Sequence, residues 1–256
     1  MSALALPTRH DEDWRYSDVA AVASVWPVPA PTTIRVNAGE ARSDALLQDA
    51  VDDAVVVRDY VITLAAGARL DFHLLNVGGR LGRVTFDVRL EEGAHFGLHA
   101  AIIGGDEQTL ELITTVSHAE PDATSEQVVR TVMGGRATGN YLGKIAVARQ
   151  AQGTDASQSV KAMLLSRQAT VNAKPELEIF ADDVKCAHGC AVGELDKQAL
   201  FYMASRGMDP QTAQTLLLRA FVAGVFDGID DEAERARFEA AALAKLGTLA
   251  KLEALA

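Results

Sequence analysis

Cysteine is scarce in this chain of 256 residues, which has only Cys186 and Cys190. Two cysteines four residues apart cannot form the disulfide framework that stabilises small secreted domains. The N-terminal residues also lack the apolar stretch and small-residue cleavage site of a secretory signal. We therefore expect a reduced, cytoplasmic protein.

Basic residues and long apolar runs are in short supply as well. There are 24 lysines and arginines against 35 aspartates and glutamates, for a formal net charge of −11. An acidic surface lacks the clustered cations that bind nucleic-acid phosphates or anionic lipid surfaces. No apolar run reaches the length of a bilayer span. We expect neither a nucleic-acid nor a membrane partner.

Short runs rich in branched residues dominate residues 33–195 and predict strands. Glycines separate these runs, and Ala66-Gly67-Ala68 and Glu92-Gly93-Ala94 recur 26 residues apart, each before a new strand. That spacing is typical of a solenoid with coils of about 20 to 30 residues. A β-sandwich would give a similar pattern, so the residues alone leave both folds open.

The two ends of the chain have helical signals. Residues 1–32 are predicted to form a short helical segment, with a helix over 10–24 followed by a proline-containing linker. Residues 196–256 are predicted to form a helical region. Asp196 is a suitable N-cap, Gly207 a suitable C-terminal stop, and Asp209-Pro210 a second helix start, for a helix ending near Gly228.

Cys186, His188 and Cys190 are spaced two residues apart, so on a strand they would share one face. Two thiolates and an imidazole are ligands that suit zinc, iron or an iron–sulfur centre. The alternative is structural, because a free cysteine usually packs as a small buried hydrophobe. A bulge at Gly189 would move Cys190 off the shared face. Three ligands also leave a four-coordinate site incomplete, so a fourth must come from elsewhere.

Three segments of the chain resemble the SufB/SufD family of iron–sulfur cluster assembly proteins, and its SufD-type members most. The segment 174–207, KPELEIFADDVKCAHGCAVGELDKQALFYMASRG, is similar to the family signature. AQGTDASQ at 151–158, followed by LLS at 164–166, and EDWRYSD at 12–18 are similar to two further family motifs. The resemblance implies a mainly β fold, a right-handed parallel β-helix flanked by helical segments at both ends.

For function, the resemblance implies a non-enzymatic subunit that pairs with SufB through the β-helix and docks the SufC ATPase on its C-terminal helices. A homodimer is also possible. Iron or an iron–sulfur cluster would be held transiently in the complex with SufB, near Cys186 and His188, with no cofactor bound tightly by the chain alone. Candidate partner-binding residues on the helices are Phe201, Tyr202, Arg206, Gly207, Leu217 and Phe221.

Two alternative functions stay open at this point. The first is a SufB-like scaffold that holds a cluster as a homodimer. The second is a β-helix enzyme that acts on carbohydrates. Such enzymes use carboxylates in an exposed groove. The aromatic content of 5% provides little surface for stacking on sugar rings and counts against the enzyme. The apolar stripe of the helix after Asp209 could equally pack inward or bind a partner.

Overall fold

The computed structural model describes residues 5–254 and shows a parallel β-helix of six coils. Each coil contributes one strand to each of two sheets. The first sheet has the order β1-β3-β5-β7-β9-β11, and the second β12-β10-β8-β6-β4-β2. The strands are β1 Thr32–Val36, β2 Ala41–Gln48, β3 Val55–Leu64, β4 Arg69–Asn76, β5 Leu81–Leu90, β6 His95–Gly104, β7 Thr109–His118, β8 Thr124–Met133, β9 Thr138–Val147, β10 Asp155–Leu164, β11 Thr170–Ile179 and β12 Lys185–Glu194.

All the strand pairs within these two sheets are parallel, which confirms the predicted β-helix and makes the β-sandwich alternative wrong. Parallel strands need a crossover between them, and here each crossover is the strand of the opposite sheet. No helix among the described residues is long and apolar enough to span a membrane.

Stacked turns explain the glycine repeat seen in the sequence. Gly67 and Gly93 have φ values of 66° and 64°, a left-handed conformation that glycine adopts without steric cost. The Gly67 N–H donates to the Glu92 carbonyl one coil further on, at 2.8 Å. The repeat therefore places one tight turn above the next, in step with the pairing of Arg69 with His95.

Alternation along each strand separates an inward from an outward face. The interior of the early coils is apolar and aromatic: Phe72 and Phe86 lie edge to face at 4.8 Å, and Tyr60 stacks on Phe86 at 5.1 Å. On β5 the outward residues Asp87 and Arg89 are exposed, while the residues between them are buried. Interior apolar burial of this kind is the main stabilising contribution.

The N-terminal segment lies on the outer face of the first sheet and is less helical than predicted. Instead of one helix over 10–24, there is a 3-10 turn at Glu12–Trp14 and a short helix, α1, at Val19–Ala23. Asp18 caps α1 by accepting from the Ala21 N–H at 3.0 Å. The residues between the turn and α1 make contacts with the sheet, and these contacts are favoured over a continuous helix.

A buried ion pair holds this segment on the sheet. Arg83 Nη1 donates to Glu111 Oε2 at 2.7 Å, and both side chains are at most 2% exposed. Ser17 Oγ donates to the same carboxylate oxygen at 2.9 Å, and Asn140 Nδ2 donates to Glu111 Oε1 at 2.8 Å. The Arg83 guanidinium also lies 3.7 Å from the ring centre of Trp14. The EDWRYSD motif thus fastens the chain to the β-helix.

Three helices follow the last strand: α2 Lys197–Ser205, α3 Pro210–Val222 and α4 Glu232–Ala254. The apolar faces of α3 and α4 pack on the outer face of the second sheet. That cluster comprises Leu75, Ala101, Ile103 and Val132 of the sheet and Val77 just after β4, with Leu218, Val222, Val225, Phe226, Ile229, Phe238, Ala242, Leu246 and Leu249. Helix α3 ends at Val222 and not near Gly228, because the chain leaves the helix to bury Val225, Phe226 and Ile229.

The ion pair makes a first prediction about stability. Glu111→Gln keeps the shape of the side chain but leaves the Arg83 charge buried without a carboxylate. Breaking a buried pair in this way costs about 3–5 kcal/mol, so we expect the urea midpoint to fall accordingly. Glu107→Gln is the control, because Glu107 and its partner Arg136 are both more than half exposed; it should cost less than about 1 kcal/mol. Equal losses of unfolding free energy in Glu111→Gln and Glu107→Gln would contradict a stabilising role for the buried ion pair.

A buried histidine makes a second prediction, about pH. Burial lowers the pKa of His118 from 6.5 to about 4, and His118 Nε2 lies 2.9 Å from Ser125 Oγ. The His118 imidazole takes up a proton at a higher pH in the unfolded chain than in the folded one. The contribution of neutral, buried His118 to the free energy of unfolding is therefore complete above about pH 6.5 and declines towards pH 4.

Between about pH 7 and pH 5 we expect His118 to account for about 2 kcal/mol of lost unfolding free energy. Urea denaturation at the two pH values measures this loss. His118→Asn should flatten the dependence by that amount, whereas the control His10→Asn, at an exposed position, should leave it unchanged. An unaltered slope in His118→Asn would show that other groups carry the pH dependence.

Candidate functional site

The last strand, β12, carries both cysteines and His188. It pairs with β10 without a bulge, so Gly189 does not interrupt the alternation. Cys186, His188 and Cys190 lie opposite Ala156, Gln158 and Val160, whose side chains are buried in the interior. All three therefore share the inward face of β12, at the end of the β-helix where no further coil covers them. We refer to this end as the mouth.

The mouth is accessible to solvent. Both cysteines are free thiols; Cys186 is half-buried and Cys190 is exposed, as is His188. Cys186 packs against an interior cluster that includes Ala156, Ile145 and Leu177. The three donor side chains thus lie between the apolar interior and water, which is where a bound group would be shielded on one side and reachable on the other.

The thiols of the mouth are held in their protonated form. Burial raises the pKa of Cys190, and burial together with the nearby Asp155 carboxylate raises that of Cys186. Metal binding or thiolate chemistry therefore has to displace protons first. Among the described residues no group of three or more His, Cys, Asp and Glu side chains is arranged to hold a metal ion. A complete ligand shell therefore needs additional ligand atoms or a rearrangement of these side chains.

The other histidines lie elsewhere. His95 and His99 are on the outward face of β6, where His95 Nδ1 lies 2.7 Å from Thr124 Oγ1. His73 is 1% exposed, stacks on His99 at 5.2 Å, and its Nδ1 donates to the Val225 carbonyl. Burial lowers the pKa of both His95 and His99. These contacts join the second sheet to the connection between α3 and α4.

A group of interior polar residues beneath the mouth escaped the sequence analysis. Thr114 Oγ1 donates to Gln127 Oε1 at 2.8 Å, and the Tyr141 hydroxyl donates to the same oxygen at 3.3 Å. A side chain at Gly143 would overlap the Tyr141 hydroxyl, so the glycine makes room for it. Burial raises the pKa of Tyr141, which keeps its hydroxyl proton available to donate. Gln158 pairs with Gln127 in the register of β8 and β10 and so belongs to this group. It is the last residue of the AQGTDASQ motif, which is the one signal of the group in the sequence.

The candidate partner-binding residues divide into two groups. Phe201 and Tyr202 on α2 are 76% and 57% exposed, and Arg206 lies 5.2 Å from the Tyr202 ring centre. Gly207 ends α2 with a φ of 85°. Leu217 is half-buried, and Phe221 packs against the cluster between α3, α4 and the second sheet. Helix α2 buries none of its residues, and Phe201 and Tyr202 keep most of their surface in contact with solvent.

The chain matches one family model and several curated proteins. Residues 32–221 match the model described as "SUF system FeS cluster assembly, SufBD core domain". The chain is 31% identical over 172 residues to the iron–sulfur cluster assembly protein SufD of Escherichia coli K12, covering 67% of this chain and 41% of that protein. It is 36% identical over 171 residues to the chloroplastic protein ABCI7 of Arabidopsis thaliana, covering 62% of this chain and 34% of that one.

A third relative matches over a longer stretch. The iron–sulfur cluster assembly SufBD family protein Rv1462 of Mycobacterium tuberculosis is 28% identical over 235 residues, which cover 88% of this chain and 54% of that protein. The chain spans about two fifths of the length of the SufD relative. The matched residues include every strand of the β-helix and the mouth. The chain belongs to the SufB/SufD family of the SUF iron–sulfur cluster assembly system, and it is most like SufD.

Proposed function

We propose that this chain is a non-catalytic, SufD-like subunit of an iron–sulfur cluster assembly complex, and that iron or a nascent cluster is its cargo at the mouth. The observation that carries the proposal is the shared inward face of Cys186, His188 and Cys190 on a terminal strand. Thiolate sulfur and imidazole nitrogen are the ligands that iron and its clusters take in proteins. The exposure of His188 and Cys190 lets such cargo enter and leave.

A partner chain is proposed to complete the site, and SufB fits that role best. Strands β11 and β12 are each paired on one side only, which leaves an unpaired backbone edge at the mouth. Beside this edge Phe180 and Val192 are 58% and 48% exposed. A second β-helix end could continue the sheet and bring further ligands to the cargo. The expected weakness of metal binding by the chain alone follows from the incomplete shell.

Of the two terminal strands, β12 is the better candidate for pairing. Strand β11 contains Pro175, which lacks the N–H needed for a ladder hydrogen bond and is tolerated at sheet edges. Strand β12 has no proline between Lys185 and Glu194. The partner would then join next to the cysteines and His188. A second copy of this chain could pair in the same way, as the alternative of a homodimeric scaffold requires.

Helix α2 is proposed to dock the SufC ATPase. Exposed Phe201 and Tyr202 lie on a helix that contributes nothing to the core. Aromatic side chains with an adjacent arginine are the residues that dominate binding energy in many interfaces. Helices α3 and α4 instead bury their apolar faces against the second sheet. Deleting residues 196–256 would therefore uncover that sheet, and point substitutions on α2 provide the cleaner test.

The role of His188 can be tested in the assembled complex. We expect His188→Ala to lower the yield of cluster transferred or assembled per folded complex, because it removes the imidazole donor. The free energy of unfolding should change by less than about 1 kcal/mol, as is usual for an exposed side chain. His10→Ala, also exposed, is the matched control. A variant that loses stability but keeps its cluster yield would mean that His188 is structural.

The role of α2 is tested by a binding assay with the ATPase subunit. We expect the double variant Phe201→Ala/Tyr202→Ala to weaken binding at least tenfold, because two exposed aromatic anchors are removed. Val51→Ala controls for loss of an exposed apolar residue, since Val51 is 78% exposed in the turn after β2. Unchanged affinity in the double variant, with circular dichroism unaltered, would remove α2 from the proposed interface.

A further inference from the structure

Two glutamines form an incompletely bonded amide pair directly beneath the mouth. Gln127 and Gln158 are partners in the register of β8 and β10, and they are 0% and 2% exposed. Gln127 Nε2 and both polar atoms of the Gln158 amide have no hydrogen-bond partner among the described residues. A buried polar group without a partner costs about 1–3 kcal/mol. A stability role does not account for Gln158.

The bonds already made by Gln127 fix a direction for the pair. Its Oε1 accepts from both the Thr114 and the Tyr141 hydroxyls. The remaining donor of Gln127 is its Nε2, and Gln158 is the cross-strand partner of Gln127 on β10. The two amides are not hydrogen-bonded in this structure. A rotation of the Gln158 side chain that lets its Oε1 accept from Gln127 Nε2 would leave its N–H group as the free donor. In that arrangement the series of hydroxyl, amide and amide ends in a donor at Gln158, whose partner on the last strand is His188.

The residues above Gln158 are those of the mouth. His188 lies directly opposite Gln158 in the pairing of β10 with β12, and Cys186 and Cys190 are its diagonal neighbours on the same face. Directly opposite and diagonal side chains in a sheet are within reach of a residue as long as glutamine. We infer that Gln158 is a positioning residue whose amide N–H donates to anionic sulfur at the mouth, either a cysteine thiolate or a sulfide bound beside it.

The inference rests on the proposed function and refines it by naming the ligand chemistry. An N–H donor stabilises an acceptor with negative charge, and hydrogen bonds to sulfur tune both thiolates and iron–sulfur clusters. A bare cation would need the opposite polarity, with a carbonyl facing outward. An N–H donor at this position favours the thiolate form of a cysteine, which is the form that binds such cargo.

The test uses two substitutions that keep the length of the side chain. Gln158→Met removes the donor, and Gln158→Glu replaces it with a carboxylate. The rate of alkylation by iodoacetamide, followed against pH in Cys186→Ser and Cys190→Ser backgrounds, reports the thiolate fraction of each remaining cysteine. We expect Gln158→Met to lower that fraction at neutral pH about tenfold or more at one cysteine, as befits loss of one hydrogen bond to a charged group. Gln158→Glu should lower it further.

A control and a stability measurement keep the test decisive. Thr131→Val changes another buried interior hydroxyl of β8 that lies outside the amide pair, and it should leave both alkylation profiles unchanged. Gln158→Met should also raise the melting temperature, because an unpartnered amide is replaced by an apolar group of similar size. Unchanged alkylation at both cysteines in both Gln158 variants would overturn the inference.

Cluster assembly then separates this inference from the proposed function. If His188→Ala impairs assembly while the Gln158 variants leave the thiols unaltered, the proposed function stands and the role of Gln158 is wrong. If the Gln158 variants shift the thiols while neither they nor His188→Ala affect assembly, the donor is real and the mouth is not the assembly site. If both effects appear, Gln158 supports the sulfur chemistry of the mouth.

Discussion

The parallel backbone ladder is the constraint on which the rest of this molecule depends. Each inner strand is hydrogen-bonded to the coils before and after it, so the pairing is continuous from the first coil to the sixth. Such a ladder can always be extended by a further strand, because its terminal strands keep unpaired N–H and C=O groups. Cys186, His188 and Cys190 lie on such a terminal strand, beside the backbone edge that is proposed to pair with a partner chain.

The flanking segments leave that edge open. The N-terminal segment packs on the outer face of the first sheet through Arg83 and Glu111, and α3 and α4 cover the outer face of the second. Both segments thus remove apolar or charged surface from the sides of the β-helix and not from its mouth. Helix α2 buries none of its own residues. The two surfaces proposed for partners therefore differ in chemistry, one being a backbone edge beside two thiols and an imidazole and the other a helix with exposed aromatic side chains.

Local signals in the sequence predict much of this arrangement. The 26-residue glycine repeat predicts a coil because each left-handed turn must stack on the next, and the caps at Asp196 and Asp209 predict where α2 and α3 begin. The end of α3 and the length of α1 were mispredicted, since contacts with the sheets decide both. The placement of Cys186, His188 and Cys190 on one face follows from alternation alone. That Gln158 lies beneath them depends on the register between coils 30 residues apart in sequence, which no local pattern reveals.

The interior changes character along the β-helix, and this change links stability to the site. The early coils bury aromatic rings such as Phe72 and Phe86, which give large apolar contacts. The later coils bury Thr114, Gln127, Tyr141 and Gln158, whose hydrogen bonds are only partly satisfied. A solenoid tolerates this because its stability is approximately a sum over neighbouring coils, so well-packed coils offset weaker ones. The coils nearest the mouth thereby retain polar groups that an optimally packed core would exclude, and Gln158, which lies directly opposite His188, is the one proposed to act at the mouth.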